Sequence, residues 1–513
     1  MAGESRRARA VFMAFGTKGD VLPIAAIAAA LARDQSQYQV LFITHSAHHN
    51  ISAFLEAISV SFVPISSPPV VAAARSDDSE SLSFSMRKKI IQAEHRDECL
   101  SAIERVFGDD PSVEGDFIVI NLFALEGWSL AELFQVPCVV AAPYVVPYSA
   151  PSSFEHQFSQ ELPLLFKYFR DAPANKVCWK DVMHWMWPLF TEDWGSWRSD
   201  CLNLSPFPFS DPVTNLPMWH VRAQSPLLLY GFSKEIVECP GYWPSNSHVC
   251  GFWFLPMEWQ FSCDKCREII SPNPSTFKLC VKHADLQHFV LDPSSLCKPI
   301  FVGLSSIGSM GYLTNPRAFL LVLKAVVEIT NHRVVLFSAG YEPLDASIRL
   351  LSGSSNASKE EQLTDSEDGI FLFNNRLFCF SGSIPYSWLF PKCAVAVHHG
   401  GSGSTAAALH AGIPQILCPF LLDQFYWAER LCWLGVAPTP LQKQNLVPDS
   451  GDATSIQLAA DALSKAISAA LSPKIKAQAA MVAQRISHED GVGEALKVLK
   501  EEVICSREQK RPI

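Results

Sequence analysis

Apolar and polar positions along the first third of the chain alternate between two rhythms. The run RAVFMAFG, closing on Gly16, is short and continuously apolar, as a fully buried parallel strand requires. Segment 22–34, LPIAAIAAALARD, is too long for a strand and opens near Pro23, which suits the start of a helix. YQVLFITH at 38–45 reads as a second strand and DFIVINLF at 116–123 as another, followed by a helical EGWSLAELF and a strand VPCVVAAP. PLLLYGFS at 226–233 and HVCGFWFL at 248–255 read as late strands of the same series. A second series starts with PIFVGLSS at 299–306, then a helix over 317–329, strand RVVLFSAG at 333–340, a polar stretch near 352–368, strand GIFLFNN, and strand AVAVHH at 394–399. The tail over 455–503 has helical Ala spacing. Strands alternating with helices predict α/β architecture with parallel sheets and ligand sites at the strands' carboxyl ends. Two such series predict two doubly wound lobes: 1–255, then an irregular linker at 256–298, then 299–480, with the remaining 481–513 helical.

Composition narrows the classes. The 513 residues suffice for two or three domains with large cores, and 48% hydrophobic with 18% charged residues marks a globular chain. A net charge of −10 offers no basic face for phosphate backbones, so nucleic acid is excluded as a general partner. The fifteen cysteines are scattered, and MAGESRRARA leads straight into an apolar strand without a secretory leader. The expectation is reduced thiols in the cytoplasm. No apolar stretch reaches the roughly 18–20 residues of a spanning helix. Residues 151–220 carry Trp179, Trp185, Trp187, Trp194 and Trp197, which either wall an apolar cleft or cover one face of a sheet.

The most informative stretch is HHGGSGSTAAALHAGIPQILCPFLLDQ, residues 398–424. A strand ends in a glycine turn, where the backbone takes conformations other residues avoid and lets a ligand approach. Ser402 or Ser404 is positioned to cap the helix TAAALHA, and Gly412 to end it. The amide-rich start of that helix is an anion site, most often for phosphate, and His398 or His399 adds a donor. Asp423 and Gln424 follow the next strand, PQILCPF, and offer acceptors and a donor for hydroxyls. Phosphate at one end and hydroxyls at the other describe a sugar nucleotide. Two other readings stand: a purely structural turn, and a dinucleotide fingerprint in which Gly401, Gly403 and Ala406 spell G-x-G-x-x-A with Asp423 about 20 residues on, implying an NAD-binding Rossmann protein.

Residues 388–438, WLFPKCAVAVHHGGSGSTAAALHAGIPQILCPFLLDQFYWAERLCWLGVAP, resemble the donor-binding signature of family 1 glycosyltransferases. FGTKGDVLPIAAIAAAL, ending at Leu31, resembles the G-S-R-G-D-V-x-P opening of the sterol and antibiotic branch, and YGFSKEIVECPGYWPSNSHVCGFWFL at 230–255 is similar to its late first-lobe strands. Three segments in the right order weigh against the NAD reading. The resemblance implies the GT-B fold, two Rossmann-like doubly wound lobes facing a cleft, with the acceptor in the first, the nucleotide sugar in the second, and a C-terminal helix crossing back. By the same resemblance His398, Gly400, Gly401, Ser402, Gly403, Ser404 and Thr405 hold the donor diphosphate, and Asp423 and Gln424 the sugar hydroxyls. Ser305, Ser306, Gly308 or Ser309 match the family's Gly-Ser turn, and the base-stacking position falls at Phe380 or Ser381. Asp20 is implied as catalytic base, although as a residue before segment 21–33 it also reads as a plain helix cap. Asn121 matches the sterol-type pattern where relatives often carry a second acid, and nearby Glu126 has no role assigned.

The implied reaction is inverting transfer of a hexose, glucose first, from a UDP-sugar to a hydroxyl of a lipophilic acceptor such as a sterol, with no metal needed for catalysis. A lipid acceptor brings peripheral membrane contact into play, though no basic amphipathic helix is legible; the oligomeric state is not legible either. Alternatives are a sugar-nucleotide-binding protein without transfer, and an epimerase-like protein that isomerises the donor sugar. One stretch departs from the resemblance. SCDKCREIISPNPSTFKLCVKH, 262–283, reads as an insertion with the spacing C-x2-C, 13 residues, C-x2-H. Cys263, Cys266, Cys280 and His283 form two close pairs of the kind that clamp a structural zinc, against the alternative of an ordinary loop in a Cys-rich chain.

Overall fold

The computed structural model describes residues 6–71, 83–108, 115–146, 150–211, 213–214, 216–218, 224–270, 277–292, 297–353 and 369–504. The polar stretch expected near 352–368 lies almost entirely outside them. The chain divides into two compact units, Met1–Leu255 with Glu489–Ile513, and Pro256–His488.

In the first unit seven strands form one sheet: β1 Ala8–Met13, β2 Tyr38–His45, β3 Val60–Ile65, β4 Phe117–Ile120, β5 Cys138–Ala142, β6 Leu227–Tyr230 and β7 Ser247–Val249. Their order is 3-2-1-4-5-6-7 and all pairings are parallel. The central strands are buried apolar runs, as strands covered on both faces must be. The strand at 60–65 has no counterpart in the sequence reading; it lies at the sheet edge, where its Pro64 is tolerated. The helix Phe84–Phe107 also escaped the sequence reading, its apolar residues being spaced among many charges.

The first helix runs Lys18–Asp34, so Pro23 lies inside it rather than at its first position. Thr17 and Asp20 decide the start: the Thr17 amide and hydroxyl both donate to Asp20 Oδ2, at 2.7 and 2.8 Å, and the Asp20 amide donates to Thr17 O at 3.0 Å. That reciprocal capping box outweighs the proline preference and puts Asp20 at the third helical position, not at the cap. Helix Gly491–Leu499 packs on this helix, and Lys500 pairs with Asp34 at 2.7 Å.

The second unit holds β8 Ile300–Gly303, β9 Val334–Phe337, β10 Ile370–Leu372, β11 Leu377–Phe380, β12 Val395–His398 and β13 Gln415–Leu417, in order 10-11-9-8-12-13. Only β10, hairpin partner of β11, is antiparallel. Positive φ at Phe373, Asn374 and Asn375 closes that hairpin, a turn the sequence reading missed. Residues 256–298, expected as an irregular linker, instead bury Phe261, Phe277, Leu286 and Phe289 against Phe301, Phe378, Phe380 and Trp388 of the second unit. The stretch carries too much apolar surface to stay in water. Among the described residues no helix is long and apolar enough to cross a membrane.

The tryptophan-rich region resolves largely as cover. Trp185, Trp194 and Trp197 are buried, Trp185 edge-on to Trp128 of helix Glu126–Leu133 at 5.3 Å, while Trp179 and Trp187 are half-buried. Arg198 ties this cover down. It is 0% exposed and donates to Ser205 O at 2.7 Å, Ser129 Oγ at 2.6 Å and Glu132 Oε2 at 3.1 Å, with the guanidinium 5.9 Å from the Trp194 ring. Arg198→Ala should lower the unfolding free energy by about 3–5 kcal/mol, because it strands buried partners of a charge network. Urea denaturation followed by tryptophan fluorescence reads this, and an unchanged midpoint would contradict a structural role for the pair.

Candidate functional site

Each sheet reverses its winding at one point, between β1 and β4 in the first unit and between β8 and β12 in the second. Ligands of doubly wound sheets bind outside the strand ends at such points. The turns following these four strands carry Asp20, Asn121, residues 305–309 and residues 398–405, while Asp423 and Gln424 follow the neighbouring β13.

In the first unit, Gly16 has φ +100°, and a Cβ there would lie 2.7 Å from Asp20 Oδ2. Glycine is therefore what lets the carboxylate fold back over its own turn. Asn121, at the end of β4, fastens the same turn: its amide group donates to Phe15 O at 2.8 Å and Asp20 O at 3.2 Å, and its Oδ1 accepts from the Phe15 and Phe123 amides, each at 3.2 Å. His48 Nε2 donates to Gly16 O at 2.9 Å. Asp20 is half-buried. Burial raises its pKa from 3.8 to about 6, against the lowering effect of the two Thr17 hydrogen bonds. A carboxylate with that value is ionised at neutral pH and still basic enough to take a proton.

Beneath this turn lies a buried polar cluster the sequence reading missed, apart from Glu126. His45 Nδ1 is 3.2 Å from Ser67 Oγ, which is 2.7 Å from His95 Nδ1. His95 Nε2 is 3.8 Å from Glu126 Oε2, and Arg96 Nε is 3.4 Å from Glu126 Oε1. The Phe15 ring packs against both His45 and His95, at 4.9 and 4.5 Å. Burial acts to raise the Glu126 carboxyl, but His95 and Arg96 outweigh it and hold the pKa below its usual value. Burial, reinforced by His95 and His48, lowers His45 to about 4. Glu126 is thus a fixed charge locked in an ion pair, whereas Asp20 is not. Three histidines at 45, 48 and 95 were the available signal, but they fall in segments whose packing only the fold reveals.

In the second unit the helix following β12 is Ser402–Ala411, and its N-cap is Gly401. Neither Ser402 nor Ser404 caps it: no side chain does. A capping hydroxyl would occupy the amides of the first turn, which here stay available to a ligand. Gly400 has φ +90°, and a Cβ there would lie 3.1 Å from Gln424 O and 3.2 Å from Leu417 Cδ2. Gly412 ends the helix in the left-handed conformation, as expected. Thr405 is buried in the first turn, its amide bonded to Gly401 O, while Gly403 has open space around its Cα.

His398 is fully buried, and burial lowers its pKa to about 4, so the ring is neutral. Its Nδ1 accepts the Gly400 amide at 3.1 Å and its Nε2 donates to Gln415 Oε1 at 2.9 Å. With both ring nitrogens engaged, His398 shapes the glycine turn rather than pointing a donor at a phosphate. His399 is also buried and neutral, its pKa lowered to about 3 by burial and by His398. Asp423 Oδ2 accepts from Trp427 Nε1 at 3.0 Å, and Gln424 Oε1 accepts from the Phe420 and Leu421 amides at 3.0 and 3.3 Å. After β8, Ser305–Ile307 forms one 3-10 turn, with Ser309 Oγ donating to Ser306 O at 2.8 Å; Gly308 sits where a Cβ would meet the Tyr341 ring at 2.7 Å. β8, β12 and β13 are adjacent and parallel, so the turns at 304–309, 398–405 and 418–424 share one end of the sheet. Of the two positions suggested for stacking a base, Phe380 is 2% exposed and packs in the core, so it offers no face to a ligand; Ser381 is exposed.

Cys263, Cys266, Cys280 and His283 are brought together, all buried, with ligand atoms within 4.8 Å of one another.

Comparison with known proteins follows the same lines. A family model described as Erythromycin biosynthesis protein CIII-like, C-terminal domain, matches residues 375–487. The chain is 26% identical over 500 residues to a Sterol 3-beta-glucosyltransferase of Saccharomyces cerevisiae, across 96% of this chain and 35% of that protein. It is 24% identical over 501 residues to Sterol 3-beta-glucosyltransferase UGT80B1 of Arabidopsis thaliana, across 96% of this chain and 67% of that protein. The chain thus spans about a third of the yeast relative and two thirds of the plant one. Among solved structures it superposes on CalG4, the calicheamicin glycosyltransferase, with TM-score 0.55 and 16% identity over 99% of this chain and 100% of that one. It superposes on UDP-glucose: anthocyanidin 3-O-glucosyltransferase with TM-score 0.54 and 16% identity over 98% and 99%. The NAD-binding alternative is set aside by these likenesses: the chain has the GT-B fold of these glycosyltransferases, is similar along most of its length to sterol 3-beta-glucosyltransferases, and matches the Erythromycin biosynthesis protein CIII-like C-terminal domain over residues 375–487.

Proposed function

We propose that this chain is an inverting UDP-glycosyltransferase that moves a hexose, glucose in the first instance, to a hydroxyl of an apolar acceptor of the sterol kind. The observation that carries the reading is the uncapped start of helix Ser402–Ala411 behind the Gly400 turn, within the segment that matches the family model. Its amides stabilise the negative charge that grows on the departing diphosphate. Asp423 and the Gln424 amide group take sugar hydroxyls, and Ser306 and Ser309 line the neighbouring turn. Asp20 removes the acceptor's hydroxyl proton; the oxygen forms a bond to the anomeric carbon as the carbon–oxygen bond to UDP breaks. The similarity to sterol 3-beta-glucosyltransferases supports the acceptor class, and the relatives' printed names support glucose. The free thiols among the described residues fit a cytoplasmic setting, where an apolar acceptor is met at a membrane surface.

The direct test is mass spectrometry of purified protein given UDP-glucose and a panel of sterols and other hydroxylated lipids. A sterol glucoside is expected; UDP-glucose bound but never consumed with any hydroxyl would make the chain a binding protein. Asp20→Asn should lower kcat/KM by about 10²–10⁴-fold. UDP affinity, measured by calorimetry, should be unchanged in that variant, since none of the donor residues lies in its unit. The wild-type kcat/KM should rise with pH through about 6, where the raised Asp20 carboxyl ionises, and level off above. A flat profile with an active Asp20→Asn variant would remove Asp20 from the chemistry. Gly400→Ala forces a left-handed alanine against Gln424 and Leu417, and should weaken UDP binding about tenfold or more at a strain of about 1–3 kcal/mol. Unaltered affinity would show that the turn does not hold the donor.

A further inference from the structure

The four residues Cys263, Cys266, Cys280 and His283 play no part in the proposed transfer, yet their geometry is specific. Cys263 Sγ and Cys280 Sγ are 3.8 Å apart. His283 Nδ1 is 3.5 Å from Cys266 Sγ and 3.3 Å from Cys280 Sγ. A tetrahedral zinc with bonds of about 2.3 Å to sulfur and about 2.0–2.1 Å to nitrogen spaces its ligands about 3.8 Å apart for sulfur pairs and about 3.5 Å for sulfur–nitrogen pairs. These three edges fit those values, and all four ligand atoms lie within 4.8 Å of one another. They do not suit a disulfide, whose sulfurs bond at about 2.0 Å. An iron–sulfur cluster sets its terminal ligands wider apart than these atoms lie. From this convergence we propose that the inserted segment is a Cys3His structural zinc site.

The surroundings complete the site. The Cys280 amide donates to Cys266 Sγ at 3.4 Å, a hydrogen bond that stabilises a metal-bound thiolate. Nδ1 of His283 is the ring nitrogen facing two sulfurs, and its ring lies edge-on to Phe380 at 5.5 Å, which fixes its orientation. Three thiolates and a neutral imidazole around a divalent ion leave one net negative charge, and Lys265, Arg267 and Lys282 lie in the same two turns. Three thiol protons go to solvent as the metal binds. With four protein ligands no coordination position remains for water, so the ion is a staple and not a catalyst.

What it staples follows from the contacts. Ser262 and Ser383 are hydrogen-bonded in both directions, Ser262 N to Ser383 O at 3.1 Å and Ser383 N to Ser262 Oγ at 2.9 Å. Trp388 Nε1 donates to Phe277 O at 2.9 Å. The inserted segment thereby braces the loop that leaves β11 at the carboxyl end of the second sheet. The aromatic residues around it give the segment a core, but its two ligand pairs are short turns that the ion locks together.

Elemental mass spectrometry of the purified full chain, expressed with zinc in the medium, should find about one zinc per chain. Cys266→Ser and His283→Ala should reduce this more than tenfold, whereas Cys239→Ser, an exposed cysteine of the first unit, should leave it unchanged. Should the ligand variants fail to fold, the wild type still decides. Thiol-blocking mercurial should release one zinc, and exchange with cobalt should give the intense visible bands of a tetrahedral thiolate site. Folded wild type holding less than a tenth of a zinc per chain, holding iron instead, or yielding a Cys263–Cys280 disulfide in its peptide map would overturn the proposal.

Discussion

Parallel pairing is the constraint on which both units depend. Because β8, β12 and β13 run the same way and are tied residue by residue, Gly303, His398 and Leu417 must end at one edge. Turns separated by about a hundred residues of sequence are thereby placed side by side, without any contact being chosen for that purpose. The same holds for Met13 and Ile120 in the first sheet, whose turns bring Asp20 and Asn121 within one hydrogen-bonded set. The reversal of winding then opens a gap at that edge, where no crossover helix covers the strand ends.

Each gap is finished by a buried polar side chain at the end of the strand that lies across the reversal from the first strand of its sheet. Asn121 and His398 occupy equivalent places, one following β4 and one ending β12, and both use up their hydrogen-bonding groups, Asn121 on backbone and His398 on the Gly400 amide and the Gln415 side chain. Each braces a turn that contains a glycine with φ near 90–100°, Gly16 or Gly400. An unpaired polar group in such a place would cost about 1–3 kcal/mol, so full pairing is what makes a polar residue tolerable there. The result is a backbone held stiffly at the point where a ligand's charge would arrive. Stiffness is useful in that position because amides already oriented need not reorganise as charge develops.

Much of this was legible because buried parallel strands are unambiguous in sequence. YQVLFITH became β2 without a residue's change, and the glycine turn at 400–401 and the Gly412 stop fell where the chain suggested. The failures share a cause: a local preference was overruled by a neighbour. Pro23 seemed to open a helix that Thr17 and Asp20 in fact begin five residues earlier. Ser402 and Ser404 seemed caps for a helix that Gly401 starts with no cap. His398 seemed a donor to phosphate until Gln415, seventeen residues on, claimed its other nitrogen. Residues 256–298 looked irregular because their apolar side chains follow no period; they fill a surface whose shape only the second sheet defines. The His45, Ser67, His95, Glu126 chain was beyond reading, since its members come from four separate segments.

The first unit also shows how environment can sort two carboxyl groups for different work. Glu126 and Asp20 both lose water, and desolvation alone would raise both. Glu126 meets Arg96 and His95, so it settles as a permanent anion whose charge is spent on holding the helix Phe84–Phe107 and its neighbours in place. Asp20 meets only a threonine and its own turn, and among the described residues no cation pairs with its carboxylate. Two hydrogen bonds are too little to cancel the desolvation, and the balance stays near 6. A group poised there has something to gain from a proton, which a salt-bridged one does not. Adding a cation beside Asp20 would tighten the turn and lower the carboxyl, and the same change would spoil it as a base; the lack of such a partner is therefore as much part of the site as the residues that are present.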